Sequence, residues 1–406
     1  MSDGQADSRG RIPETPTRAM MDESATTAPE SPHRRPQAGP APPREGSPSR
    51  ETAHASHAAA QGGHAALARA YTPPRHGRRD AYAALDLGTN NCRLLVAEPA
   101  SHGFRVIDAF SRIVRLGEGL GTSDRLSEEA VERTVEALRI CRAKMQARGV
   151  VRSKIIATEA CRLAVNGAAF VERVRAEVGL DLEIVDRQTE AYLAVTGCAA
   201  LADPRAESVV IFDIGGGSTE IAWLDGAATN PSADPTLRIR AWDSLPVGVV
   251  TLAERHGGVE VTRHTFEGMV EEVSEKLSGF AIRAASAATG ANFHLLGTSG
   301  TVTTLAAMHL RLVRYERRRV DGLWMSDAEV SEAIDDLLGT RLQQRADNPC
   351  IGRDRADLVL AGCAILEAIR RAFPSERLRI ADRGLREGLL MNMMREDGVW
   401  RRGGYR

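Results

Sequence analysis

Lysine is nearly missing from this 406-residue chain: of its 53 basic residues only Lys144, Lys154 and Lys276 are lysines, and they do not cluster. We read that shortage as compositional bias rather than as a site. No apolar run approaches the roughly 20 residues that a membrane helix needs, so a spanning segment is not expected. The opening "MSDGQADSRGRIPETP" lacks the apolar core of a signal peptide, which leaves secretion without support. Cys92, Cys141, Cys161, Cys198, Cys350 and Cys363 show no C-x-x-C spacing and no nearby His pair. That pattern argues against a zinc site and a disulfide framework and fits reduced thiols. With a net charge of -1, the expectation is a soluble cytoplasmic protein with no specific nucleic-acid partner.

The composition breaks near residue 80. Residues 1–79 hold eleven of the 18 prolines and a single aromatic, Tyr71, in stretches such as "SPHRRPQAGPAPPREGSPSR". Such a segment buries too little apolar surface to offset its ordering entropy, so a disordered tail is expected there. Its eleven arginines against eight acids leave weak polyanion binding open beside the plain-tail reading, as does a start at Met20 or Met21.

From Asp80 short β-rich runs alternate with amphipathic helices. "AALDL", "CRLLVAE" and "FRVIDAFSRIVRL" read as consecutive strands. A helix begins after Ser127 as N-cap, with Glu128 and Glu129 at its positive end and Val131, Thr134, Val135, Leu138, Cys141 and Met145 as its apolar stripe. Gly149 stops it. "KIIAT" follows as a strand, then a helix over 167–177, "LEIV" as a strand, and a helix from Gln188 to about Ala202.

The pattern then restarts. "ALDLGTNNCRLLVA" (84–97) and "IFDIGGGSTEIAWL" (211–224) superimpose over fourteen residues without a gap, matching Asp86 to Asp213 and Gly88 to Gly215. Seven residues after each Asp the copies differ in sign, Arg93 against Glu220. A duplication of this kind predicts two similar α/β domains whose opening hairpins face one another across a cleft. A Gly-rich turn lets backbone N–H groups converge on an anion, and Ser or Thr hydroxyls add donors. Carboxylates make sense beside phosphate only with a divalent cation such as Mg²⁺ between them, whereas Arg93 suits the phosphate itself. "LLGTSGTVTTLAAMHL" (295–310) runs from a strand into a helix whose first turn holds Gly300 and Thr301, where free N–H groups favour an anion. Three such loops point to a phosphorylated ligand. His256, His264, His294 and His309 are widely spaced and read as surface or satisfied core, so no Ser-His-Asp chemistry competes.

The segments "DLGTNNCRLLV", "ATEACRLAVNG", "VDRQTEAYLAVTG", "FDIGGGSTEIAW", "SLPVGVVTL", "LLGTSGTVTTLA" and "ADRGLREGLL" occur in that order over about residues 80–395. They resemble the exopolyphosphatase and guanosine pentaphosphate phosphohydrolase (Ppx/GppA) family, within the superfamily of actin, Hsp70 and sugar kinases. The resemblance implies an α/β chain with two ribonuclease-H-like domains, 80–203 and 204–400, the second including the C-terminal helix, with a cleft between them. It implies Mg²⁺ or Mn²⁺ and hydrolysis of the terminal phosphoanhydride of polyphosphate or guanosine pentaphosphate, with a part in the stringent response. The family's catalytic base falls on Glu190, with Thr189 where members often carry another Glu. Its metal-binding acids fall on Asp213 and Glu220, joined by Asp86. The phosphate loops fall on Gly88, Thr89, Asn90, Asn91 and Arg93, on Gly215, Gly216, Gly217 and Ser218, and on Gly297, Thr298, Ser299, Gly300 and Thr301. The first reads "GTNN" where members show G-S-N-S. Arg162 and Asn166 match the family's A-x-R-x-A-x-N motif as phosphate or cleft contacts.

Two departures stand out. A helical C-terminal region of longer members is expected to be missing, which bears on grip on long polyphosphate. The run "RYERRRVDGLW" (314–324) is basic where members often show His-Gly, and Arg317, Arg318 and Arg319 read equally as a polyanion patch or a solvated turn. Beside the phosphatase stand a non-catalytic module that binds guanosine tetraphosphate or polyphosphate, and a phosphotransferase of the same superfamily. A homodimer is a further expectation by family analogy.

Overall fold

The computed structural model describes residues 80–101, 103–226, 234–289 and 292–400. The tail expected over 1–79 lies outside the described residues. Among the described residues eleven strands occur, in the order β1 (Ala81–Leu87), β2 (Asn91–Pro99), β3 (Phe104–Ile113), β4 (Val150–Ala157), β5 (Glu183–Ile184), β6 (Ser208–Ile214), β7 (Thr219–Asp225), β8 (Ile239–Leu245), β9 (His294–Thr298), β10 (Trp324–Ser326) and β11 (Arg377–Ala381). They form two sheets, β3-β2-β1-β4-β5 and β10-β11-β9-β6-β7-β8. In each, an antiparallel meander (β1 to β3; β6 to β8) is continued by parallel strands on the far side of its first member (β4 and β5; β9 and β11). The duplicated sequence is therefore a duplicated α/β topology, two ribonuclease-H-like lobes. The leading strands "AYAALDL" and "SVVIFDI" are buried along almost their whole length, as befits central strands covered on both faces.

The helix Glu128–Ala147 buries every residue of the predicted stripe. Its Ser127 hydroxyl accepts from Ala130 N, and Gly149 at φ 65° ends the run. Several boundaries differ from the sequence reading, among them the start of β4 at Val150 rather than Lys154. β3 ends at Ile113 rather than Leu116, because Val114 N and Arg115 N leave the ladder and both donate to the carbonyl of Asn90. "LEIV" keeps only two strand residues, Glu183 and Ile184. The following helix stops at Cys198 and tightens into a 3₁₀ turn over Ala199–Leu201.

That helix, Arg187–Cys198, is what joins the lobes. Leu193 and Ala194 enter the core of the first sheet, while Val195 and Cys198 enter that of the second. The C-terminal helix Leu385–Glu396 was expected to belong to the second domain, but Leu385, Leu389, Leu390, Met393 and Met394 pack with Tyr82, Ala84 and Leu95 of the first sheet. It packs backbone to backbone on the connecting helix: a Cβ on Gly197 would stand 2.0 Å from Gly384 O, and one on Gly388 2.3 Å from Leu193 O. All six cysteines are buried and free. Among the described residues no helix is long and apolar enough to cross a membrane.

Candidate active site

The two opening hairpins are built alike to the hydrogen bond. Gly88 N donates to Asn91 O at 2.9 Å, and Gly215 N donates to Ser218 O at 2.9 Å. Asp86 stands directly opposite Arg93 across β1 and β2, and Asp213 directly opposite Glu220 across β6 and β7, so each pair shares one face of its sheet. A cavity of about 110 Å³ lies between the hairpins, lined by Asp86, Thr89, Asn90, Glu190, Asp213 and Glu220 together with both glycine turns. Ser299, Gly300 and Thr301 of the third loop close it.

The glycines serve close approach rather than unusual backbone angles; none in these turns has positive φ. A Cβ on Gly217 would stand 2.7 Å from Thr89 Oγ1, and one on Gly216 2.9 Å from Thr89 Cβ. The lobes thus meet hairpin on hairpin, and the bare turn accommodates the opposite lobe as well as an anion.

Glu190 sits in the first turn of the connecting helix and is 6% exposed. Asp186 caps that helix by accepting from Thr189 N. Arg162 Nη2 donates to Glu190 Oε2 at 2.7 Å, and the same guanidinium is held by Glu159 Oε2 and the Val185 carbonyl. Glu159 is itself buried and takes a second arginine, Arg187, at 2.7 Å. Burial, then the charge of Glu220, holds Glu190 well above the usual carboxylate range against the pull of Arg162. Burial and the charges of Asp86 and Glu190 push Asp213 up to about 7, with Arg93 opposing. Burial and Asp213 push Glu220 up to about 7 as well, although the Ser218 and Ser244 hydroxyls both donate to its Oε1 at 2.8 Å. Asp86 is raised by burial, with Arg93 opposing. Four desolvated carboxylates around one cavity make an arrangement that a cation would relieve.

The donor set fits a hard divalent cation. It consists of carboxylate oxygens plus the buried Asn90 Oδ1, which has no hydrogen-bond partner. Among the described residues no three His, Cys, Asp or Glu converge as a ready-made metal cage. Mg²⁺ does not require one, since it takes one or two carboxylates and completes its shell with water and phosphate oxygens.

Several expected residues fall elsewhere. Arg162, expected on phosphate, does not line the cavity; its donors are spent on Glu159, Glu190 and Val185 O. Asn166 clasps the backbone of Leu126 through both amide atoms and serves the fold. Gly297 does not line this cavity; the Phe212 ring fills the space beside it, 2.5 Å from where a Cβ would be. Thr298 donates to Arg383 O and faces a second, adjoining chamber. The helix Gly300–His309 offers fewer free N–H groups than its sequence suggests, because Ser299 Oγ, at a φ of 150°, accepts from both Thr301 N and Val302 N. In the basic run, Arg317 is tied to Glu387 and the Asp382 carbonyl, whereas Arg318 is exposed. His294 is a satisfied core residue, its Nε2 accepting from Asp203 N. Two site residues escaped the sequence reading: Arg355, whose Nη1 would touch a Cβ on Gly300 at 3.2 Å, and Arg386, at the start of the last helix. Only the local strings "GRDRADL" and "ADRGLREGLL" carry them, and nothing in either marks an arginine as facing a cleft.

The sequence profile of the Ppx/GppA phosphatase family matches residues 95–397. A crystal structure of the Aquifex aeolicus member of that family is 28% identical over 79% of this chain and 99% of its own, with a TM-score of 0.63. A structure described as an exopolyphosphatase-like protein is 25% identical over 78% of this chain and 99% of its own, with a TM-score of 0.68. An exopolyphosphatase from Cytophaga hutchinsonii shares the fold at 24% identity over 78% of this chain and 98% of its own, with a TM-score of 0.69. With the profile spanning most of the chain, and both hairpins and Glu190 gathered on one cavity, this chain belongs to the Ppx/GppA phosphatase family.

Proposed function

We propose that this chain hydrolyses the terminal phosphoanhydride of inorganic polyphosphate or guanosine pentaphosphate, releasing orthophosphate, with Mg²⁺ or Mn²⁺ as cofactor. The observation that carries the reading is the meeting of Glu190, buried and held above the usual carboxylate range, with two glycine-turn hairpins on one cavity. Attack by water on the terminal phosphorus requires an acceptor for the water's proton, and a carboxylate raised toward working pH is matched to that task. Arg162 fixes one oxygen of Glu190, and the other is unbonded among the described residues. Asp213 and Glu220 are the residues to hold the cation, which when bound neutralises charge on the transferred phosphoryl group. The backbone of both turns and the Thr89 hydroxyl orient the phosphate, and the close packing of the turns restricts water.

Phosphate release by the full chain with Mg²⁺, from polyphosphate and from guanosine pentaphosphate, tests this. Glu190→Gln is expected to lower turnover by about 10²- to 10⁴-fold with little change in binding. The ion pair from Arg162 to Glu190 is the one feature that favours the sensor reading, since it opposes proton uptake. Tight binding of guanosine tetraphosphate or polyphosphate without any release would establish that reading instead.

A further inference from the structure

Glu159 is a buried acid, 2% exposed, that lines neither cavity, although the preceding Thr158 lines the first. The sheet fixes its place: β4 ends at Ala157, in register with Leu87 of β1, and Glu159 opens the short helix Glu159–Leu163 that follows. Its two oxygens take different arginines. Oε2 accepts from Nε and Nη2 of Arg162 at 3.0 and 2.7 Å, and Oε1 accepts from Nη2 of Arg187 at 2.7 Å.

The bond to Arg162 is the informative one, because the Nη2 that donates to Glu159 also donates to Glu190 Oε2, again at 2.7 Å. Nη1 donates to the Val185 carbonyl, so every nitrogen of this guanidinium is engaged. Glu159 occupies its Nε–Nη2 edge, and Glu190 receives only the remaining direction of Nη2. A guanidinium offers that edge as a planar fork matched to both oxygens of a carboxylate. With Glu159 gone, the fork is free to turn onto Glu190 and take both of its oxygens. The base then has none left for water.

Glu159 is also tied to the rest of the site. Arg187 and Glu190 share the first turn of the connecting helix, and Glu159 holds one directly and the other through Arg162. A Cβ on Gly217 would stand 3.2 Å from Glu159 Cγ, so the bare turn of the second hairpin rests on the stem of this side chain. A buried ion cluster contributes little net stability, since desolvation of each charge offsets the attraction. What it supplies is placement.

We infer that Glu159 is a positioning residue of the hydrolytic reaction: by claiming one edge of Arg162 it limits that arginine to a single bond with Glu190, which leaves Glu190 Oε1 free for the attacking water. This rests on the phosphohydrolase reading. Glu159 touches neither substrate nor cation and acts only through Arg162.

Phosphate release by the full chain carrying Glu159→Met, Arg162→Gln or both tests the assignment, on whichever of polyphosphate and guanosine pentaphosphate the unsubstituted chain hydrolyses, with the melting temperature of each variant recorded. Glu159→Met, close in size but without an acceptor, is expected to lower kcat by about 10- to 100-fold and to leave KM within about twofold. Because the two residues act in series, the double variant is expected to be no slower than Arg162→Gln alone. Glu159→Gln keeps one acceptor oxygen and is expected to recover part of the loss; it carries the same cycle if Glu159→Met melts at the assay temperature. Undiminished kcat in both Glu159 variants overturns the inference. So do losses that multiply in the double variant, or a KM that rises in step with the fall in kcat, either of which marks Glu159 as support for the fold alone. Such a result in a chain that itself releases phosphate leaves the hydrolase reading standing, whereas no release by the unsubstituted chain sinks both.

Discussion

Asp86 and Asp213 end equivalent strands, precede identically bonded turns, and differ in what faces them: a guanidinium in the first hairpin, a second carboxylate in the second. One folding unit used twice thus supplies one wall that carries a guanidinium opposite its aspartate and one that carries a second carboxylate. The fold sets where the two side chains project, and a single position seven residues on sets the sign.

The sharpest way to break that comparison is to neutralise each partner. Glu220→Gln is expected to reduce turnover by more than the roughly 10- to 100-fold that follows loss of a mere supporting partner of a metal ligand, and to raise the Mg²⁺ concentration required. Arg93→Gln is expected to raise KM for polyphosphate by about tenfold and leave the Mg²⁺ requirement unchanged. Steady-state phosphate release titrated with Mg²⁺ reads both. The comparison fails if the two variants shift the Mg²⁺ curve alike.

The turns provide a stability test. A Cβ on Gly215 would stand 2.7 Å from Ser218 O, whereas the nearest atom to a Cβ on the equivalent Gly88 is Asn91 O at 3.7 Å. Gly215→Ala is expected to cost about 1–3 kcal/mol, as overpacking does, and Gly88→Ala to stay within about 0.5 kcal/mol of neutral. Urea denaturation of the two variants decides it, equal losses being the adverse result.

The smallest expected effect is one of pH. Asp213 and Glu220 are raised to about 7 in the folded protein from an ordinary value near 4, so between those limits the folded state binds more protons than the unfolded one. Stability without divalent cation is therefore expected to fall as pH rises from about 4 to about 7 and then to level off. Mg²⁺ is expected to restore it at the upper end. Melting temperature against pH, with and without Mg²⁺ and in the Asp213→Asn, Glu220→Gln double variant, checks the sign. A flat profile for the unsubstituted chain removes the claim that these acids are buried without a counter-ion.

Much of this was legible because it is local. The period of the Glu128–Ala147 stripe, the Ser127 cap and the fourteen-residue repeat are fixed by neighbours in the chain, and so was the pairing of Asp213 with Glu220. What was not legible was which partners the side chains take. Arg162 and Asn166 carry the right chemistry for phosphate, yet Arg162 is held by Glu159, three residues away, and by Glu190, 28 residues away, and Asn166 by Leu126, 40 residues away.

By itself the sequence determined the two lobes, their turns and the acids on them, since strand alternation and turn geometry follow from adjacent residues. Only the tertiary structure decided that the last helix crosses to the first sheet and which arginines are left unpaired among the described residues. The physical reason is that a charge's availability depends on every partner within a few ångströms, and those partners are set by packing rather than by position along the chain.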